Sequence, residues 1–259
     1  MTAERSTPLV VLDDVGKVYD RGIEALRGFS LAVGRPEFIS LLGPSGCGKS
    51  TVLRLVAGLG TVSSGSIRWP DAARRKDIGF VFQEPTLMPW ANVEDNVSLP
   101  LALAGTARPV ARQRARTLLG RVGLEQFARA YPRELSGGMR MRASVARALL
   151  SQPSVLLMDE PFAALDEITR FELIEQLLSL WQGQPWTVLF VTHSVFESVY
   201  MSERVVIMGA RPGRVVAEIP IAEAYPRGPE FRGSARYANY CRDVLQALRR
   251  ASGDGRSRP

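Results

Sequence analysis

The apolar run Phe38-Ile39-Ser40-Leu41-Leu42 is followed at once by Gly43-Pro44-Ser45-Gly46-Cys47-Gly48-Lys49-Ser50, and then by a helical pattern over residues 51–57. Strand, glycine-rich loop and helix in that order leave few folds open, because the loop must carry the chain from a buried sheet edge into a helix N-terminus. The spacing fits G-x-x-x-x-G-K-[ST], with glycines where a side chain would keep backbone N–H groups from turning inward onto an anion. A helix starting near Lys49 adds its N-terminal partial positive charge. Lys49 then reaches the β- and γ-phosphates of a nucleotide, and Ser50 ligates Mg²⁺. Gly43, Ser45, Gly46, Cys47, Gly48 and Thr51 complete the phosphate wall; the Cys47 thiol itself is structural.

The rest of the chain gives that loop a sheet to stand on. Val155-Leu156-Leu157-Met158, Val188-Leu189-Phe190-Val191 and Val205-Val206-Ile207-Met208 are buried-strand runs, and Phe171, Ile174, Leu177, Leu178 and Trp181 lie at helical spacing between the first two. Strands alternating with helices predict an α/β fold with a mostly parallel sheet covered on both faces. Residues 8–36 read as a small antiparallel β region, and residues 86–150, rich in Ala, Arg and Leu, as a helical insertion. Past Pro220, a stripe of Tyr237, Tyr240, Cys241, Val244, Leu245 and Leu248 predicts a docking helix, and the last eight residues read as disordered. The expected division is a nucleotide-binding core of residues 1–85 and 151–225, a helical subdomain of residues 86–150, and a C-terminal helix with a basic tail over residues 226–259.

Two further segments carry chemistry. Val155 to Met158 run into Asp159-Glu160, which places a pair of carboxylates at a strand's carboxyl end, where α/β sheets bind ligands. Asp159 is expected to orient Mg²⁺ and Glu160 to polarise an attacking water. Leu135-Ser136-Gly137-Gly138-Met139 opens a helical stretch with two glycines. That is a second anion site, and it has no use on the same protomer unless it completes a nucleotide held by another copy.

Composition narrows the class. None of the 259 residues falls in a stretch of about 20 uninterrupted apolar residues, and the first 20 contain no secretory apolar region. Secreted, membrane-spanning and disordered chains are therefore not expected. Cys47 and Cys241 are the only cysteines, so no disulfide framework is implied and a reducing cytosol fits. The net charge of +7 is almost wholly arginine, since Lys17, Lys49 and Lys76 are the only lysines. Scattered as it is, this charge reads as a solvated surface rather than a nucleic-acid footprint.

With these motifs in hand, residues 8–220 resemble the ATP-binding subunit of an ABC transporter, a P-loop NTPase. The resemblance implies that Ser136, Gly137 and Gly138 dock on ATP held by a partner subunit in a head-to-tail dimer. It implies that Tyr19 stacks on adenine and that Gln83 senses Mg²⁺ and the attacking water. Ala164-Leu165-Asp166 matches the loop crossing the dimer interface, and His193, the sole histidine, matches the residue contacting the γ-phosphate. The catalytic set is thus Glu160, His193 and Gln83, and the metal set Ser50, Gln83 and Asp159. Three positions depart from the family pattern: Met139 for Gln, Ala163 for Ser, and Pro36 for Gly, the last placed in an edge turn.

Residues 87–97 and Gly209-Ala210-Arg211-Pro212-Gly213-Arg214 are similar to the nitrate, sulfonate and taurine importer branch. That resemblance implies uptake of a small anionic solute through a separate integral permease fed by a separate solute-binding protein, with the ATPase peripheral on the cytoplasmic face of the inner membrane. Leu87-Met88-Pro89-Trp90 is the expected partner surface, with burial of Trp90 in its own domain as the alternative. The rival classes are a soluble ABC-type ATPase acting on nucleic acid or protein assemblies, for which 259 residues leave no room for a coiled coil or a second ATPase unit, and a plain P-loop kinase.

Overall fold

A computed structural model describes residues 8–253. In chain order it contains β1 (Val10–Tyr19), β2 (Ile23–Val33), β3 (Phe38–Leu42), α1 (Lys49–Val56), β4 (Ser64–Arg68), β5 (Ile78–Val81), α2 (Val93–Leu103), α3 (Arg108–Arg121) and α4 (Gly137–Leu149). There follow β6 (Val155–Asp159), α5 (Glu167–Trp181), β7 (Thr187–Thr192), α6 (Val195–Met201), β8 (Arg204–Met208), β9 (Val215–Pro220), α7 (Pro229–Arg232) and α8 (Ala235–Gly253). The chain divides into two compact units, Met1–Lys76 with Pro185–Pro259, and Asp77–Gln184.

In the first unit β3 lies between β7 and β8, parallel to both, and β9 closes the edge antiparallel to β8. Every residue of β3 and β7 is buried. A strand covered on both faces can be apolar throughout, which is why these segments read as continuous runs rather than alternations. β9 alternates between half-buried and exposed, as an edge strand with one wet face should. A separate three-stranded sheet, β2-β1-β4, is antiparallel and forms the small β region. Pro36 falls in the bend between β2 and β3, where Glu37 accepts the Gly34 N–H at 2.7 Å and pairs with Arg204 at 2.8 Å.

The C-terminal helix docks through α6, β8 and α7. Tyr237, Cys241 and Val244 are buried as the stripe requires, and Ala251 extends it, but Leu245 is exposed. Its position at the margin of the stripe turns it to water. Of the last eight residues, Ser252 and Gly253 are helical, because α8 runs through them, and the other six lie outside the described residues.

In the second unit β5 and β6 pair in parallel. Between them in sequence come α2, α3 and α4, whose core includes Val93, Val97, Leu119, Val122, Ala143 and Leu150. Arg112 grips Asp95 with two donors at 2.7–3.0 Å, and Arg116 pairs with the buried Glu94, which ties α3 to α2. On α5, Ile174, Leu177, Leu178 and Trp181 are buried, while Phe171, at the start of the stripe, is exposed.

Candidate nucleotide site

In the first unit, Leu42 pairs with Thr192 on one side and Ile207 on the other. The glycine-rich loop after β3 and His193 after β7 therefore leave the same carboxyl edge of adjacent strands. Gly46 and Gly48 have φ of +74° and +98°, conformations a side chain would oppose. A Cβ on Gly48 would also stand 2.8 Å from the Ala25 carbonyl oxygen. Gly48 caps α1 without a side chain to occupy the helix's leading N–H groups, which is the condition for an anion to occupy them instead. Lys49 is 5% exposed, and its ammonium donates to the Gly43 and Pro44 carbonyls at 2.9 and 3.2 Å. Ser50 is half-buried in the first turn, Ser45 is exposed, and Cys47 is a buried thiol outside any disulfide.

Tyr19 ends β1 half in water, its hydroxyl 3.2 Å from Thr51 Oγ1 and the Lys17 ammonium 5.0 Å from its ring centroid. A hydrogen bond to the first turn of α1 places this ring beside the phosphate loop. His193 is exposed between two residues locked into the start of α6. Ser194 N–H donates to Thr192 Oγ1 at 3.0 Å, and the Ser194 hydroxyl caps Glu197 N–H at 3.2 Å.

In the second unit, Val81 pairs with Met158, so the segment holding Gln83 and the pair Asp159-Glu160 leave one carboxyl edge. Gln83 is exposed; Asp159 and Glu160 are half-buried, and Glu160 has φ +44°. Sequence reasoning missed the residue that holds the Gln83 segment. Arg147 on α4 donates to the Pro85 carbonyl at 3.0 Å and to Thr86 O and Oγ1, each at 2.9 Å. Burial pushes the Arg147 guanidinium below its ordinary value. The one signal was an arginine set in an Ala- and Leu-rich helical stretch.

Ser136 caps α4, its hydroxyl accepting Met139 N–H at 3.2 Å, while the Met139 side chain packs on the helical core. The substitution of Gln by Met is thereby accommodated as packing. Gly138 has a second reason to be glycine, since a Cβ there would lie 2.3 Å from Thr169 Cγ2 on α5. Gly137 has room for a Cβ, which would make ordinary contact with Leu165 Cδ2 at 3.7 Å. Asp166 caps α5, and hydrogen bonds from the Thr169 backbone and side chain hold its carboxyl below the usual range. Trp90 is 77% exposed, which excludes its burial in its own domain. The turn that presents it is pinned by the fully buried Asn96, which accepts Met88 N–H and donates to the Met88, Ala91 and Asn92 carbonyls.

Among the described residues no helix is long and apolar enough to cross a membrane, and no group of three or more His, Cys, Asp or Glu could hold a metal. The donors at the expected Mg²⁺ positions are a hydroxyl, an amide and a carboxylate, hard oxygens of the kind that hold this ion when phosphate oxygens complete its shell.

The sequence profile of the ABC transporter family matches residues 26–163. The chain is 46% identical over 206 residues to the taurine import ATP-binding protein TauB of Rhizobium johnstonii, covering 78% of this chain and 79% of that one. It is 39% identical over 248 residues to the aliphatic sulfonates import ATP-binding protein SsuB of Bacillus cereus, with 93% and 96% covered. A solved dimeric structure of a post-hydrolysis state of the ATP-binding cassette MJ0796, bound to ADP and Pi, superposes with a TM-score of 0.73 at 33% identity, covering 83% of this chain and all of that one.

Proposed function

The chain belongs to the ABC transporter family as an ATPase coupled to transport, and from that premise we propose that it powers uptake of a small anionic solute of the sulfonate, taurine or nitrate type. The solute passes through a separate integral permease served by a separate solute-binding protein, with this subunit peripheral on the cytoplasmic face. The carrying observation is that both import relatives span nearly the same length as this chain and name sulfonate-class solutes.

Two copies work head to tail, each with MgATP on the loop Gly43–Thr51. Residues 1–85 and 151–225 bind and hydrolyse the nucleotide, residues 86–150 meet the permease and the partner's nucleotide, and residues 226–259 carry the C-terminal helix and basic tail. Tyr19 stacks on the adenine, and the Lys49 ammonium exchanges its loop carbonyls for phosphate oxygens. Ser50, Gln83 and Asp159 would hold Mg²⁺, which would supply charge neutralisation to the phosphates. Glu160 orients and deprotonates the attacking water, and His193 donates to the γ-phosphate. Ser136, Gly137 and Gly138 close on the nucleotide of the other copy. Catalysis here is chiefly positioning and charge neutralisation.

The test is growth of a deletion strain with taurine or an alkanesulfonate as sole sulfur source and nitrate as sole nitrogen source. Growth should be lost on one of them and restored by the intact gene but not by Lys49→Ala. Normal growth on all three, with unchanged uptake of each, would remove this solute class and leave the ATPase standing.

A further inference from the structure

The segment Gly209-Ala210-Arg211-Pro212-Gly213-Arg214 joins β8 to β9 and has no part in the scheme above, yet it is built against the outside of the phosphate loop. Arg211 Nε donates to the Gly46 carbonyl at 2.9 Å. A Cβ on Gly46 would stand 2.3 Å from Arg211 Nη2, so the guanidinium lies directly on the loop's crest. The segment is anchored independently of that bond. Gly213 N–H donates to the Ala25 carbonyl at 2.9 Å, the Gly213 carbonyl accepts Arg27 N–H at 3.1 Å, and Gly209 N–H closes onto the Arg214 carbonyl at 2.9 Å. Gly213 also runs so close beneath the loop that a Cβ would lie 2.0 Å from the Cys47 carbonyl oxygen.

We infer that Arg211 is a positioning residue of the phosphate loop, presented by a strap formed from residues 209–214, and that it sets the protein's affinity for nucleotide phosphates. A loop that turns its N–H groups toward an anion must turn carbonyls away from it. The Gly46 carbonyl shares its peptide plane with Cys47 N–H. A cation bonded to that carbonyl from outside fixes the plane and makes the N–H a stronger donor. Cys47 N–H itself now rests on the Pro44 carbonyl at 3.2 Å, a long bond that a phosphate oxygen can replace. Arg211 acts through the loop and leaves the attacking water untouched, so its effect falls on binding rather than turnover.

The inference rests on the ATPase reading, and the experiment separates the two. Wild type, Arg211→Ala, Arg211→Lys and Lys49→Ala are titrated with a fluorescent ATP analogue, assayed for phosphate release, and melted. Arg211→Ala should raise both Kd and KM about fivefold to tenfold, with kcat and Tm unchanged. Arg211→Lys should recover part of the loss, keeping the charge without the planar fork. Equal Kd values for wild type and Arg211→Ala, with binding lost in Lys49→Ala, would overturn the inference alone. A lowered Tm that accounts for the change, with Lys no better than Ala, would also overturn it by reducing Arg211 to packing. Absence of nucleotide binding in the wild type would overturn both readings.

Discussion

At Glu160 the backbone leaves the carboxyl end of β6 with φ +44°, a conformation that costs a side-chain-bearing residue of order 1 kcal/mol. Strain of this kind persists where the surroundings hold it and a side chain must be aimed. Glu160→Gln keeps the shape and removes the base. It should bind ATP as the wild type does while phosphate release falls about 10²- to 10⁴-fold; turnover near the wild-type rate would dismiss Glu160 as the base. A different carboxyl answers to pH. Burial, with the neighbouring Glu37 charge, raises Glu203 above its ordinary 4.5, against the opposing pull of the Phe38 N–H bond and Arg227. Its stabilising contribution is therefore complete below pH 4.5 and is lost as pH rises through the higher folded value. Glu203→Gln, which still accepts Phe38 N–H, should melt above the wild type near neutral pH, with the gap closing toward about pH 4. An equal gap at both ends would refute the assignment. At this scale the phosphate loop was legible because its chemistry is local, being glycines, a lysine and a hydroxyl within eight consecutive residues. Arg147 was not, because its partners lie 61 and 62 positions away and are mostly backbone carbonyls, which no side-chain pattern announces.

Among the elements, strands and helices were readable where both faces or one full stripe are apolar, as in β3, β7 and α5. Errors fell at stripe margins. Phe171 and Leu245 satisfy helical spacing, yet a rotation of one residue decides whether such a position meets the core or water. Sequence gave no notice of how α6 is finished. Arg227 is 5% exposed and donates to the Val199, Tyr200 and Ser202 carbonyls at 2.9–3.0 Å and to Glu223 O at 2.8 Å, beneath the Tyr225 ring at 4.2 Å. Arg227 thus takes two of the orphan carbonyls at the end of α6, Val199 and Tyr200, while the Tyr225 hydroxyl donates to the third, Met201, at 2.6 Å. Arg227→Ala should lower stability in urea by about 3 kcal/mol. Arg227→Lys should recover little of it, since an ammonium cannot span four carbonyls as a planar fork does. An unaffected urea midpoint in Arg227→Ala would show that water replaces the guanidinium without loss.

For the molecule as a whole, the proposed cycle requires that nucleotide and self-association be linked. Glu160→Gln with MgATP should sediment as a dimer, while the same variant with MgADP, and Lys49→Ala with MgATP, should sediment as monomers. A monomer under all three conditions would argue against the sandwiched pair. What remained illegible at this scale is the solute, because nothing in an energy-supplying subunit has to touch it. The exposed indole of Trp90 supplies a way to watch the coupling step without a label. Trp181 and Trp186 are each 7% exposed and Trp69 is half-buried, so with Trp69 replaced by Phe, water-borne quenchers reach Trp90 at 77% exposure far more readily than the others. Its emission should lie to the red and be quenched by acrylamide in the isolated subunit, then move to the blue and become shielded when the permease covers it. If the permease docks on the proposed surface, the Trp90 ring is an optical gauge of assembly, readable through each turn of the cycle.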